Sequence, residues 1–334
     1  MTSKVLILKN DRTGDLFVSL NAINKIINKH NNKNIDIFLS NVNHKFNFLF
    51  PKLNKKIFSM KLSIFEKIKI LIYLLFNNAK TVYILTPKNF YYYLPFFFRK
   101  IKFYGITIKS VKSRPNLFLK KYLYKSVELD RINIKKRKSS YEIQSSLIDT
   151  NLDKNYLNNE FLINHSFFYP KNFVYFHYKR SLFENLLNWD LNTICSFLDI
   201  LSNKYENILF SSEINDEKKN KFFSNKFNTF DFISNKKINL NKKNIFFLKD
   251  IDGYDLFDAV KNSSRIISPE GIITHMGYYL KKPILALMHF NLHNRQDFIS
   301  QIISCKEWFP PTNYNFIVLK KNFDKSLQKI LKRI

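Results

Sequence analysis

Gly14 and Asp15, in the stretch NDRTGDLFVSL, follow the aliphatic run Val5-Leu6-Ile7-Leu8 and precede Leu16, Leu20, Ile23 and Ile27 at helical spacing. A run this short and aliphatic reads as a buried parallel strand, and the spacing after it as an amphipathic helix. The Gly-Asp pair therefore stands where a strand hands over to a helix. In an open α/β sheet that handover, at the carboxyl edge of the strands, is where ligands bind. An Asp at a helix start also serves well as an N-cap, and the residues alone favour that role for Asp15.

The stretch IISPEGIITHMGYYLKKPILALM, residues 266–288, is the second place where residue types and spacing point to chemistry. An aliphatic strand ends at Ser268-Pro269, Gly271 permits close backbone approach, and a helix carrying His275 follows. Lys282-Pro283 then stops that helix before another aliphatic strand. Proline suits the first turn of a helix, and a helix start offers N–H groups and a positive dipole end to a diphosphate. The amides from Gly271 through Ile272 to Ile273 are thus a candidate anion cradle, with an ordinary strand-to-helix turn as the alternative. Other patterns are weaker: His289 and His293 are four apart but lack a nearby Glu or third ligand, so they do not make a zinc site. The chain has no Walker loop, GxGxxG or GxSxG.

The elements that must carry these turns alternate. Strands are expected at Val5–Leu8, Ile35–Leu39, Lys56–Met60 and Thr81–Leu85, with helices at Leu16–Lys29 and Ser63–Asn77. A second series begins at Phe173–Phe176. It continues with helix Leu191–Lys204, strands Asn207–Phe210 and Ile245–Leu248, helix Tyr254–Lys261, strand Arg265–Ile267, a helix to Leu280 and strand Ile284–Met288. Such alternation argues parallel sheets with helical crossovers. At 334 residues the chain exceeds the roughly 250–300 at which single cores stop growing, so two domains are expected, with a boundary near 165. Residues 111–170 are basic and less regular, with one amphipathic helix at Tyr141–Leu152, and Lys218–Lys243 reads as a solvated stretch with short elements.

The 55 Lys and Arg against 26 Asp and Glu give a formal charge of +29, which draws the chain toward polyanions: nucleic acid, anionic lipid or phosphorylated ligands. An abundance of Lys, Asn, Ile, Phe and Tyr with few Gly, Pro and Ala also fits AT-rich coding bias, and Lys135-Lys136-Arg137-Lys138 reads first as a solvated linker. Cys195 and Cys305 form no CxxC pattern and read as reduced core residues. No signal peptide opens the chain, and its longest apolar runs, Ile70–Phe76 and Phe90–Phe98, fall short of the ~20 residues that span a bilayer. A cytoplasmic protein is expected, with peripheral contact to the inner face of the cytoplasmic membrane. The block Phe90–Phe98 with Arg99-Lys100 fits either a core helix, the favoured reading, or a membrane interface.

The sequence resembles glycosyltransferase family 9, the lipopolysaccharide heptosyltransferases and their relatives. LILKNDRTGDLFVSLNAI is similar to the family's strand, Gly-Asp turn and helix; SPEGIITHMGYYLKKPILAL reproduces its His-to-Lys-Pro spacing. KTVYILTPKNFYYYLPFFFRKIKFYGITIK is similar to the family's intervening elements. The resemblance implies the GT-B arrangement: two Rossmann-like α/β domains facing across a cleft, residues 1–165 binding acceptor and 166–334 the donor. The last helix, 324–334, is expected to pack back on the first domain. By position Asp15 becomes the catalytic base, which takes the proton of an acceptor hydroxyl as it attacks the anomeric carbon. Thr13 and Gly14 become turn residues that admit the acceptor or donor sugar. Glu270 reads as a contact to donor-sugar hydroxyls or a charge favouring the helix dipole, and His275 as a donor contact or a packing residue. Two departures stand out. Glu270-Gly271-Ile272 replaces the family's Asp-Ser/Thr-Gly, and the lysine before Trp-Pro is missing at Trp189, where Leu187-Asn188 precede it. Lys179 or Arg180, earlier in FHYKRSLFENLLNW, would then supply the charge on the donor phosphate, unless both are plain surface residues.

The expected function is an inverting glycosyltransferase that needs no metal or other cofactor and takes a nucleotide-diphosphate sugar, heptose by family default, to a lipopolysaccharide-type or other envelope glycan or glycolipid. An anionic membrane surface is a further expected partner; nucleic acid is not. The rivals are a basic nucleic-acid-binding protein and a catalytically degenerate glycan-binding family member.

Overall fold

The computed structural model describes residues 4–30, 34–110, 118–133, 138–148, 169–213, 216–234, 236–238, 244–290, 301, 303, 305–311 and 314–333. Residues 135–137, the end of the expected 141–152 helix, the boundary at 165, residues 239–243 and His293 lie outside them. The chain divides into two compact units, residues 1–159 with 299–309, and 160–298 with 310–334.

In the first unit, β1 (Lys4–Lys9), β2 (Ile35–Ser40), β3 (Asn54–Phe58), β4 (Ala79–Ile84), β5 (Lys102–Lys109) and β6 (Lys125–Asp130) form one sheet. Its order is β3-β2-β1-β4-β5-β6 and every pairing is parallel. The helices are α1 (Thr13–Lys29), α2 (Ile64–Phe76), α3 (Asn89–Phe97) and α4 (Ser140–Ser146). β1 reads as a continuous apolar run because helices cover both faces of its sheet. Leu6 and Leu8 pack under α2 and α3 with Ile70, Leu74, Tyr91 and Tyr92, while α1 packs against α4. Helix α2 starts where expected because Ser63 caps it: Ser63 Oγ accepts from the Glu66 amide and the Glu66 carboxylate accepts from the Ser63 amide. The block Phe90–Phe98 follows its core reading in part: Tyr91, Tyr92, Leu94 and Pro95 are buried in α3, and Phe96 and Phe97 are exposed.

In the second unit the sheet order is β10-β9-β11-β8-β7-β12-β13-β14, parallel except for β10. Its strands are β7 (Phe173–His177), β8 (Asn207–Ser211), β9 (Asn228–Asp231), β10 (Lys236–Ile238), β11 (Ile245–Lys249), β12 (Arg265–Pro269), β13 (Ile284–Met288) and β14 (Tyr314–Val318). Between them run α5 (Arg180–Phe183), α6 (Leu191–Ser202), α7 (Glu217–Ser224), α8 (Gly253–Asn262) and α9 (Ile272–Tyr279), and α10 (Phe323–Leu331) follows β14.

Residues 218–231 hold short elements, as expected, and these are partly buried: α7 buries Phe223, and β9 joins the sheet with Thr229 and Phe230 buried. Two expectations are corrected. Pro269 ends β12 instead of opening the next helix, which begins at Ile272. The last helix groups with the second unit, with Ile330 fully buried in the core that holds Trp189 and Phe197. It is residues 299–309 that group with the first unit, where the fully buried Glu307 accepts from Arg131 Nε at 3.0 Å. Cys195 is buried, and burial pushes its thiol up to about 11, so it stays protonated. No helix among the described residues is long and apolar enough to cross a membrane.

Candidate functional site

In a sheet ordered 3-2-1-4-5-6, the chain winds one way from β1 and the other way from β4, which leaves a crevice beyond their carboxyl ends. A cavity of about 320 Å³ opens there, lined by Asp11, Arg12 and Asp15 after β1 and by Thr86 and Lys88 after β4. Ile106, Ile108 and Leu129 supply apolar wall, and Arg131, Gln144 and Trp308 complete it. The loop after β1 is held rigidly. Asn43 Nδ2 donates to the Lys9 carbonyl at 2.9 Å, Ser40 Oγ to the Asp11 carbonyl at 2.6 Å, and Tyr91 OH to Asn10 Oδ1 at 2.6 Å.

Charge is paired in this cavity. Lys9, 1% exposed, places Nζ 2.8 Å from Asp11 Oδ2, which also accepts from Thr86 Oγ1 at 3.0 Å. A lysine so deep persists only with its partner. Lys88 Nζ donates to the Asn10 carbonyl at 2.7 Å and to that of Met60. Burial brings its ammonium down to about 8, against the pull of Asp11 and Glu66.

Asp15 lies in the first turn of α1 and lines this cavity. It is not the N-cap: Arg12 holds that position and makes no side-chain cap bond. Thr13 Oγ1 donates to the Val42 carbonyl at 3.4 Å. Gly14, like Thr13, is helical, in the first turn, with no positive φ, so the backbone conformation does not require glycine there. The sequence reading missed Lys9, Asp11, Lys88 and Arg131. The signal for the first pair was present as a Lys and an Asp flanking Asn10 at the strand end, whereas the other two come from separate strand ends.

The second sheet reverses its winding at β7, between β8 and β12. Lys179, just beyond β7, reaches across and donates from Nζ to the Glu270 carbonyl, beyond β12, at 3.0 Å. A Cβ on Gly271 would lie 3.5 Å from that Nζ. Gly271 has φ 154° and ψ −154°, a region essentially restricted to glycine. Its amide donates to Thr274 Oγ1 at 3.1 Å, and that hydroxyl donates back to the Gly271 carbonyl at 2.7 Å. The expected three-amide cradle therefore loses its Gly271 member and retains Ile272 and Ile273. Gly277, one turn and a half further on, lets α9 lie close on the sheet, since a Cβ there would fall 2.3 Å from Ile266 Cδ1.

Glu270 and His275 meet, with Nε2 3.5 Å from Oε1. Burial pushes the Glu270 carboxyl up, but His275 and Lys179 outweigh it and leave the group below its ordinary range, hence ionised at neutral pH. Behind Lys179, burial and the lysine's charge bring the His177 imidazole down to about 3, so it remains neutral. Of the two cations offered for the donor charge, Arg180 lies away from the Gly271 turn: its side chain is 58% exposed, 3.3 Å from Glu184, and lines a separate hollow with Asp216 and Lys219. The residue pair thus divides, with Lys179 at the Gly271 turn and Arg180 away from it. A larger hollow of about 750 Å³ lies along the carboxyl ends of β9 and β11, lined in part by Asp231, Lys249, Asp250 and Asn220. The sequence reading had placed part of this lining in the solvated stretch. Among the described residues no group of three or more His, Cys, Asp or Glu could hold a metal ion, and His289 Nδ1 bonds the Leu319 carbonyl at 3.0 Å.

No protein-family model and no curated protein sequence matches the chain. Solved structures do. ADP-heptose lps heptosyltransferase II of E. coli superposes at TM-score 0.64 and 14% identity over 98% of this chain and 96% of that one. The glycosyl transferase family 9 protein of Veillonella parvula matches at 0.62 and 12%, over 99% and 90%. UDP-GlcNAc 2-epimerase of Methanocaldococcus jannaschii matches at 0.56 and 15%, over 98% and 92%. An epimerase sharing the architecture means that the fold alone does not select the reaction. The chain has the heptosyltransferase-like GT-B fold, built from two Rossmann-like α/β units.

Proposed function

We propose that the chain is an inverting glycosyltransferase that takes a sugar from a nucleotide-diphosphate donor to an envelope glycan or glycolipid. The observation that carries this reading is the Lys179-to-Glu270 bridge across the second switch point, beside Gly271 and the start of α9. A cation at the sheet edge, two amides at a helix start and a glycine that admits close approach together suit a diphosphate. The heptosyltransferase-like fold also supports a nucleotide-sugar donor, with ADP-heptose as the first candidate because one structural neighbour carries it in its name.

Asp15 is the base in this reading. As the acceptor oxygen forms its bond to the anomeric carbon, its proton passes to the Asp15 carboxylate. The bond from that carbon to the diphosphate oxygen breaks, and its electron pair leaves with the nucleotide. Lys179 and the amides of Ile272 and Ile273 stabilise the charge that develops there. The acceptor occupies the cavity after β1 and β4, where Arg12 and Lys88 favour an anionic glycan. No metal enters this scheme. A glycolipid acceptor would place the enzyme at the inner face of the cytoplasmic membrane.

The test is calorimetric titration with ADP, UDP and ADP-heptose, followed by transfer assays. A hundredfold excess over Kd should stabilise the protein by about 2.7 kcal/mol. Absence of binding by every nucleotide would overturn the reading, and binding without transfer to any glycan would favour the degenerate, glycan-binding rival.

A further inference from the structure

Helix α2 is apolar on both sides. Its inner side packs Ile70, Tyr73 and Leu74 on the sheet. Its outer side exposes Ile64, Phe65, Ile68, Ile72, Leu75 and Phe76, with Phe65 at 78% and Phe76 at 80%. These six positions recur at helical spacing, so they form one stripe along the whole element. A helix apolar all round is ordinarily covered on all sides, and an exposed patch of this extent marks a contact surface. Helix α3, which packs over the same core, also exposes Phe96 and Phe97. Lys67 Nζ lies 5.9 Å from the Phe90 ring centroid and ties the two helices together.

The charges around this face decide what covers it. Lys61, Lys69, Arg99 and Lys100 are exposed at its margins. The one acid of α2, Glu66, turns inward on its cap: its carboxylate accepts from the Ser59 amide at 2.5 Å and the Ser63 amide at 2.8 Å. Partial burial pushes that carboxyl up, but these bonds outweigh it and bring the group down to about 2. A second copy would set one basic margin against another. A nucleic acid would meet the cations and the rings of Phe65 and Phe76, but its bases and phosphates would leave the aliphatic Ile64, Ile68, Ile72 and Leu75 between them uncovered. Anionic lipid satisfies both features at once, with side chains in the acyl boundary and lysines on headgroups.

We propose that the outer face of α2, together with the end of α3, docks the protein on an anionic lipid surface. The inference rests on the membrane part of the function given above and names the surface that performs it; nucleotide binding and catalysis are independent of it. In co-sedimentation, the protein should bind vesicles of phosphatidylcholine mixed with phosphatidylglycerol, and about tenfold less to phosphatidylcholine alone. The double variant Phe65→Ser/Phe76→Ser, altered only at exposed positions, should lose at least about tenfold in vesicle binding while keeping its thermal midpoint and its affinity for ADP. A Phe65→Trp variant should shift its emission to the blue on anionic vesicles and be quenched by brominated acyl chains. Unchanged sedimentation of the double variant, or a Phe65→Trp emission that brominated chains leave unquenched, would overturn the proposal. So would a concentration-dependent dimer that the double variant abolishes, or oligonucleotide binding that it weakens. Because sedimentation needs neither donor nor acceptor, failure of the parent to bind vesicles with ADP binding intact rejects the docking face alone.

Discussion

After β1, a parallel strand ends in a carboxylate, Asp11, held against Lys9, with Asp15 in the first turn of the following helix. After β7 and β12, parallel strands of the other unit end in a lysine bound to a backbone carbonyl beside a glycine. Both places are switch points of parallel sheets, so the physics of strand winding puts a ligand crevice at each. What differs is the chemistry in the loops. In the proposed reading the first crevice supplies the base, Asp15, with Arg12 and Lys88 beside it in the same lining, and suits an oxygen nucleophile on an anionic body. The second has a cation and helix-start amides, suited to a leaving diphosphate. On that proposal one scaffold, used twice, assigns the proton acceptor to one crevice and the anion holder to the other, and the division can be tested one side at a time.

The largest effect is expected at Asp15. Asp15→Asn keeps the shape of the side chain and removes its basicity, so transfer should fall about 10² to 10⁴ while the calorimetric affinity for ADP is unchanged. Equal loss of both would erase the distinction between the crevices. Lys179→Met should do the reverse, with ADP affinity falling about 10- to 100-fold, the loss of one charge-assisted hydrogen bond. Arg180→Ala, at an exposed side chain turned to Glu184, should change it less than about threefold. An Arg180 effect as large as that of Lys179 would show that the two cations act together after all.

Smaller effects separate the two glycines. Gly271→Ala meets ordinary contact at Lys179 Nζ but forces an L residue to φ 154°, and should cost about 1 to 3 kcal/mol of stability by denaturant unfolding. Gly14→Ala, in a helix, should be neutral or stabilising by up to about 1 kcal/mol. If it nevertheless lowers transfer, a ligand approaches the backbone there. The subtlest expectation concerns Lys88, whose ammonium is brought from 10.5 down to about 8 by burial. The folded state then holds its proton less tightly than the unfolded chain. The stability linked to this group is fully present above pH 10.5 and is lost as pH falls through about 8. The difference in unfolding free energy between the parent and Lys88→Met should therefore rise from pH 8 to 10.5, and KM for an anionic acceptor should rise over the same interval in the parent only.

Local pattern determined much of this protein. The four-residue aliphatic run at Val5–Leu8 and the helical spacing after it specify β1 and α1, because period and burial on both faces are properties of neighbours in sequence. Ser63 and Glu66 likewise mark the start of α2, and the turn at Gly271 announces itself by its punctuation. Tertiary structure alone decided which side chains share a crevice. Lys179 and Glu270 are 91 positions apart, and Arg131 meets Glu307 over 176, distances at which no periodicity speaks. It also decided that Gly14 is helical, that Arg180 turns from the site its neighbour joins, and that the apolar residues of α2 remain on the outside. Hydrophobic pattern tells a chain which residues prefer to leave water, but the supply of partners to cover them is a property of the assembled sheet and its layers.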